Sequence, residues 1–356
     1  MIRPSCGELE SSIVHRVWST HNRTPYAVAS TWGRTKDGVH EWIVAVRASF
    51  DIGLGGQVTL ADEQPEPLLV AEYHGEEGAS SLRYETDLVS PKPTTDILVN
   101  GTAYAPRGRP ATEFPVSLRV DGLEKVLRVR GDRVYSRSAG AIEPSAAAPV
   151  TEVPIRYERA FGGFDNADPN PMNQKMDPRN PIGCGIAADP RRLIDKPVHN
   201  FEYANRPPAE SGPAGFGAIA SYWSPRRELS GTYDAAWEES RKPLLAVDWD
   251  PASLLCSPTD QRPQQPLRGG ERVQLSNLTR DGFLQFDLPK IYPIFTTYFS
   301  TVSGRRLEEH RARLATAILE PDRARLALVW TTALLVHGDE DYLDETVVRE
   351  KTYISW

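Results

Sequence analysis

The sequence predicts a mainly β fold, an antiparallel, sandwich-like scaffold carrying long Pro/Gly-rich loops and a few short helices. Three observations predict it: β-rich runs in both flanks of the chain, turn dipeptides beside those runs, and an uneven distribution of proline. Of the 30 prolines, 18 lie between Pro144 and Pro266. That stretch is a different kind of structure from its flanks, because proline removes a backbone donor and is excluded from central strands and helix interiors.

In chain order, the first flank carries expected strands at 42–51, 96–104, 114–120 and 126–134, and the second at 273–278, 283–288, 294–302, 314–319 and 325–331. The dipeptides Asp37-Gly38, Asn100-Gly101, Asp121-Gly122 and Asp281-Gly282 stand beside them and accept the positive φ angles of tight turns. Around Asp281-Gly282, Val273 and Leu275 on one side and Leu284, Phe286 and Leu288 on the other give an antiparallel pair one apolar face. In the middle, Asp234 is the expected N-cap of a short helix through Trp237 that Pro243 stops. The expected organisation is an N-terminal extension over 1–19 and one β domain over 20–356. Within the domain, 40–135 and 271–332 are strand-rich, 138–150 is a connector, and 144–266 is the Pro/Gly-rich loop region.

Composition excludes several function classes. The chain has 356 residues, 40% of them hydrophobic and 25% charged, which is globular. Its apolar runs, such as 43–46 and 326–330, fall far below the ~20 residues of a membrane span, so no membrane partner is expected. A formal net charge of -7 lacks the electrostatic footprint of a nucleic-acid binder. Cys6, Cys184 and Cys256 are widely spaced ordinary thiols. No apolar signal core follows Met1, so the expected compartment is the cytoplasm.

The common catalytic signatures GxSxG, HExxH and the P-loop are absent. Gly183-Cys184-Gly185-Ile186-Ala187-Ala188 matches a loose dinucleotide pattern, but Asp177-Pro178-Arg179-Asn180-Pro181 before it cannot be the strand that such a site needs. Asn166, Asp168 and Asn170 imitate the first calcium-loop ligands, with Asp177 at position 12. Pro171 stands where that loop needs Gly, and an Asx turn explains the same letters. The seven histidines are solitary, and the cluster of His337, Asp339, Glu340, Asp341, Asp344 and Glu345 reads as a solvated acidic turn. Neither a metal nor a cofactor is expected, and no catalytic residue is assigned.

Several phrases in one order carry a resemblance over roughly residues 20–335. They include Asn22-Arg23-Thr24-Pro25-Tyr26, Glu72-Tyr73-His74-Gly75, Ser81-Leu82-Arg83-Tyr84-Glu85-Thr86-Asp87 and Tyr157-Glu158-Arg159-Ala160-Phe161-Gly162-Gly163. Further on come Pro178-Arg179-Asn180-Pro181-Ile182-Gly183, Pro213-Ala214-Gly215-Phe216-Gly217, Gly231-Thr232-Tyr233-Asp234-Ala235-Ala236-Trp237 and Leu267-Arg268-Gly269-Gly270-Glu271. The chain is similar in these to the family of domains of unknown function DUF 2169, found beside type VI secretion genes. One departure is Tyr135, where the family often has Trp. The resemblance implies a cytoplasmic, non-catalytic adaptor or chaperone. Such a protein holds an effector or its PAAR-type tip domain and helps to load it on the VgrG spike.

The family has no established catalytic residues to carry over. Arg83, Glu85, Asp87, Tyr157, Glu158, Arg159, Phe161 and Trp237, all in the shared phrases, are candidates for client contact or for an internal ion-pair and turn network. Two readings from other classes compete. One is a carbohydrate- or peptide-active enzyme using paired carboxylates, with Glu85, Asp87 and Glu158 as its first residues. The other is a glycan-binding β-sandwich with platforms among the eight tryptophans.

Overall fold

The computed structural model describes residues 18–301 and 304–351. The expected extension over 1–19 lies outside the described residues except for Trp18 and Ser19, as do Cys6, His15, Val302 and Trp356. The architecture is mainly β, with three short α-helices at Pro208–Ser211, Arg226–Leu229 and Ala235–Ser240 among the described residues. As expected, Asp234 caps the last of these, its carboxylate accepting from the Trp237 amide at 2.9 Å.

A central sheet runs Ala27–Arg34, His40–Ile52, Arg325–Val336, Arg313–Glu320, Asp96–Val99, with Val58–Leu60 added beside the end of His40–Ile52. All its pairs are antiparallel except the last, Arg313–Glu320 with Asp96–Val99. A second, antiparallel sheet runs Phe201–Glu202, Leu123–Arg130, Glu113–Val120, Arg272–Ser276, Phe283–Asp287. A third runs Ser19–Asn22, Leu343–Glu350, Pro293–Thr301, Gly304–Arg311. The expected hairpin around Asp281-Gly282 is present, pairing Leu275 with Leu284 and Val273 with Phe286. The run expected over 96–104 is two strands, Asp96–Val99 and Thr102–Tyr104, broken at Asn100-Gly101.

One apolar core joins the three sheets. It takes Val44, Val46 and Ala48 from the central sheet, Val116, Leu118, Leu127 and Leu275 from the second, and Phe295, Phe299 and Val348 from the third. The other face of the central sheet is buried as well. Leu98, Ile318 and Ala327 alternate with residues of the main core and pack with Tyr157, Ala218, Trp223 and Cys256 of the Pro/Gly-rich middle. That explains why His40–Ile52 is buried at nearly every position although its letters alternate. Its polar residues Glu41, Arg47 and Ser49 face a protein layer instead of water, and each has a partner there: Ser90, Asp87 and Gln64.

A chain of hydrogen bonds ties the central sheet to the third. Trp42 Nε1 donates to Thr346 Oγ1 at 2.9 Å, Thr346 and Thr297 share a bond of 2.8 Å, and His310 bridges Thr297 at 2.8 Å and Thr332 at 2.9 Å. Burial pushes the His310 imidazole down from 6.5 to about 4. The unfolded chain takes up a proton near pH 6.5 that the folded chain refuses until about pH 4, so stability falls as pH drops through that window. We expect the melting temperature to decline between these values, and to decline less in His310→Gln, as differential scanning fluorimetry across pH will read. Some slope remains from His74, whose pKa is also lowered to about 4, by burial and then by Arg156 and Arg83.

Candidate functional site

The residues singled out in the shared phrases gather mainly at the buried second face of the central sheet, where they join the irregular middle to the scaffold. Arg47 Nη1 donates to Asp87 Oδ2 at 2.7 Å, and Asp87 also accepts from the Leu68 amide at 2.9 Å. Arg226, from the short helix Arg226–Leu229, donates to Glu85 Oε2 at 2.7 Å and to the Ile219 and Ser253 carbonyls at 2.6 and 3.0 Å. Glu158 accepts from the amide and the hydroxyl of Ser81. Tyr157 is buried, edge-on to Trp223 at 5.6 Å, with its hydroxyl on the Gly217 carbonyl at 3.2 Å. Arg83 lies 3.4 Å from Glu320 and over the Tyr84 ring. Arg159 bonds Asp132 at 3.2 Å and Asn200 at 3.0 Å, and Phe161 meets His199 edge-on at 5.6 Å. Trp237 stands apart, on its own helix, bonded to the Leu244 carbonyl at 2.8 Å and packed on Tyr233. Most of these residues are engaged by partners within the chain.

Chemistry-bearing alternatives fare similarly. Glu85, Asp87 and Glu158 are each engaged by a different donor, so they do not form a free carboxylate pair. The Asn166 to Asn170 segment makes Asx turns: Asp168 accepts from the Asn170 amide at 2.9 Å, and Asn170 from the Met172 amide at 3.1 Å. Asp177, at position 12 of the calcium-loop imitation, is buried and held by Arg179 at 2.6 Å. Among the described residues no group of three or more His, Cys, Asp or Glu is placed to hold a metal ion. Cys184 and Cys256 are both free, and burial raises both thiols, Cys184 to about 11, which disfavours the thiolate form. Gly183 precedes and Gly185 ends a two-residue strand, Cys184–Gly185, which pairs with Phe161–Gly162 instead of opening a helix. A cleft of about 720 Å³ lies beside Val126, Tyr203, Arg206 and Asp260. Asp260 there already accepts from Lys125 at 2.8 Å and from Tyr203 at 2.9 Å.

The surface feature best suited to holding another chain is an edge. Ala27–Arg34 pairs with His40–Ile52 on one side and, among the described residues, with no strand on the other. From Ala27 to Gly33 it carries neither a charge nor a proline, the two devices that normally block pairing with another chain. Among the described residues, the other outermost strands in the three sheet orders are guarded or short. Gln261 Nε2 donates to the Ile97 carbonyl at 2.6 Å and so covers Asp96–Val99. Gly304–Arg311 is lined with Arg305, Arg306, Glu308, Glu309 and Arg311. Phe283–Asp287 lies under the loop of Gly56, where an added Cβ would come within 1.9 Å of the Gln285 carbonyl oxygen. Phe201–Glu202 and Ser19–Asn22 are short.

Aromatic rings flank the open edge. Trp18, 42% exposed, meets Trp32 edge-on at 5.4 Å, and Trp32 lies 5.0 Å from Trp42. The Trp18 indole donates to the Glu340 carbonyl at 3.1 Å, and Glu340 also pairs with His40. The buried Trp32 Nε1 has no acceptor among the described residues. Sequence reasoning missed this strand because small residues and a single tryptophan give no alternating pattern; the Asp37-Gly38 turn, which does join it to His40–Ile52, was the available signal.

The family model described as "Uncharacterized protein conserved in bacteria (DUF2169)" matches residues 37–331. The chain belongs to the DUF2169 family. No curated protein and no solved structure matches it. The DUF2169 match takes in four of the five strands in the central sheet's order, in whole or in part, together with the second sheet and the Pro/Gly-rich middle with its network. It begins after the open edge at Ala27–Arg34, which belongs to the part of the chain outside the family match. Among the described residues no helix is long and apolar enough to cross a membrane.

Proposed function

We propose that this DUF2169 protein is a non-catalytic adaptor that binds a type VI secretion effector, or its PAAR-type tip domain, in the cytoplasm and promotes its loading onto the VgrG spike. The resemblance of the ordered phrases supplies the system. The observation that carries the reading is the unguarded, uncharged edge Ala27–Arg34 beside Trp18 and Trp32. An open edge supplies a row of backbone donors and acceptors to which a client strand can add, and the tryptophans supply the large rigid rings that dominate binding energy at interfaces. The networked middle suits the same role by holding the scaffold rigid, so that little entropy is lost when the client docks.

Co-expression with the effector or PAAR-domain protein encoded beside it tests this directly. A stable complex on size exclusion at micromolar concentration is expected, together with loss of effector secretion when the adaptor is deleted. Chains that elute separately, with secretion unchanged by the deletion, would refute the reading.

A further inference from the structure

A second feature of the molecule, independent of the open edge and of the adaptor reading, is a groove of about 620 Å³ where the third sheet meets the central one. Its apolar wall is Leu267, Ile291, Leu314 and Trp330, all nearly buried. Its polar lining is strongly one-signed: Arg268, Arg311, Arg313 and Lys351 stand against Glu309 as the one carboxylate, and Glu309 lies 4.0 Å from Arg349.

The three arginines stand at exposed positions around one groove. Several arginines elsewhere find carboxylates, as Arg47 does in Asp87, Arg226 in Glu85 and Arg179 in Asp177. Among the described residues Arg268, Arg311 and Arg313 have no carboxylate within ion-pair distance, although acidic residues outnumber basic ones, 48 to 41. Guanidinium groups left without a carboxylate beside an apolar wall match a ligand that presents carboxylates and apolar groups together, since a guanidinium fork pairs bidentately with a carboxylate. A nucleic-acid backbone requires neutralisation along a longer basic track and brings nothing for the wall of Leu267, Ile291 and Leu314.

We infer that this groove binds an extended acidic segment of a partner protein, its Asp or Glu side chains on Arg268, Arg311 and Arg313 and its alternate apolar side chains against Leu314 and Trp330. Extended backbone sends successive side chains to opposite sides, so acidic and apolar residues in alternation reach the rim and the wall together.

The probe is a fluorescein-labelled synthetic peptide of alternating Glu and Leu, titrated with the full chain and read by anisotropy. Saturable binding that weakens with salt is expected, with a loss of roughly tenfold or more in Arg311→Glu/Arg313→Glu, corresponding to about 1.4 kcal/mol. Arg268→Gln, an exposed single change checked for folding by circular dichroism, is expected to weaken it in the same direction. A peptide with Gln in place of Glu should not bind. Absence of binding by the parent chain, or equal binding by the charge-reversed variant, overturns the inference. So does tighter binding of a single-stranded oligonucleotide that the same variant abolishes. Binding seen only after removal of residues 352–356 would assign the groove to the chain's own end, and a dimer dissociated by the charge reversal would assign it to a second copy; either result also overturns it.

Discussion

Replacing Asp96 by Ala is expected to destabilise the protein by about 3–5 kcal/mol, the cost of leaving a buried charge without its partner. Asp96 is 0% exposed at the start of Asp96–Val99 and organises the junction between the central sheet and the Pro/Gly-rich middle. Its carboxylate accepts from Lys92 Nζ at 2.7 Å, from the Ser257 hydroxyl and amide at 2.6 and 2.8 Å, and from the Cys256 amide at 3.0 Å. Lys92 is itself only 3% exposed and bonds Thr316 Oγ1 at 3.0 Å. Without the carboxylate, an ammonium and two backbone amides lose their acceptor inside the fold. A melting temperature lower by roughly 10 °C is the expected reading. Removing Lys92 as well, in Lys92→Met/Asp96→Ala, should recover part of the loss, because the stranded ammonium disappears and the two sites couple.

The same group sets an acid limit. Burial alone would raise the Asp96 carboxyl, but Lys92, Ser257 and the Cys256 amide outweigh it and hold it at about 2, below its ordinary 3.8. Its contribution is therefore fully present above pH 3.8 and is lost as pH falls toward 2. This lies below the window in which His310 and His74 act, so acid unfolding of the parent chain should begin on the histidines.

The second large effect is expected on binding with little change in stability. Ala29 and Thr31 lie on the face of the edge strand opposite to Val28 and Trp32, which pack against the main core. Ala29→Lys/Thr31→Lys places two charges on the open edge and should weaken a co-purified client complex by roughly tenfold or more, about 1.4 kcal/mol, while the melting temperature moves by only a few degrees. Trp18→Ala removes a half-exposed ring and should cost about 2 kcal/mol of binding where a hot-spot aromatic is lost. A complex of unchanged affinity in both variants would separate the edge from client recognition.

Much of the scaffold was legible from letters because its strands are long and apolar. His40–Ile52 and Arg325–Val336 carry unbroken β-rich runs, and Asp121-Gly122 and Asp281-Gly282 mark the turns of two hairpins in the second sheet. Three of the longer strands were not legible. Gly304–Arg311 is mostly charged because it is a guarded edge, Leu343–Glu350 begins among acidic residues that read as a solvated turn, and Ala27–Arg34 is built of small residues. The residue types of the internal network were legible as needing partners, yet the pairings were not. Arg47 finds Asp87 40 positions away, and Asp96 finds Ser257 161 positions away, distances over which no local period operates. The open edge is a property of topology: only the sheet order shows that, among the described residues, Ala27–Arg34 has a strand neighbour on one side alone.

Hydrogen–deuterium exchange on the proposed client complex, compared with the free protein, tests the central claim most directly. Slowed exchange of the Ala27–Arg34 amides on complex formation is the predicted result, since a client strand that adds to this edge covers the backbone groups that no described strand pairs. Unchanged exchange over Ala27–Arg34, with protection confined to other surfaces of a stable complex, would contradict it.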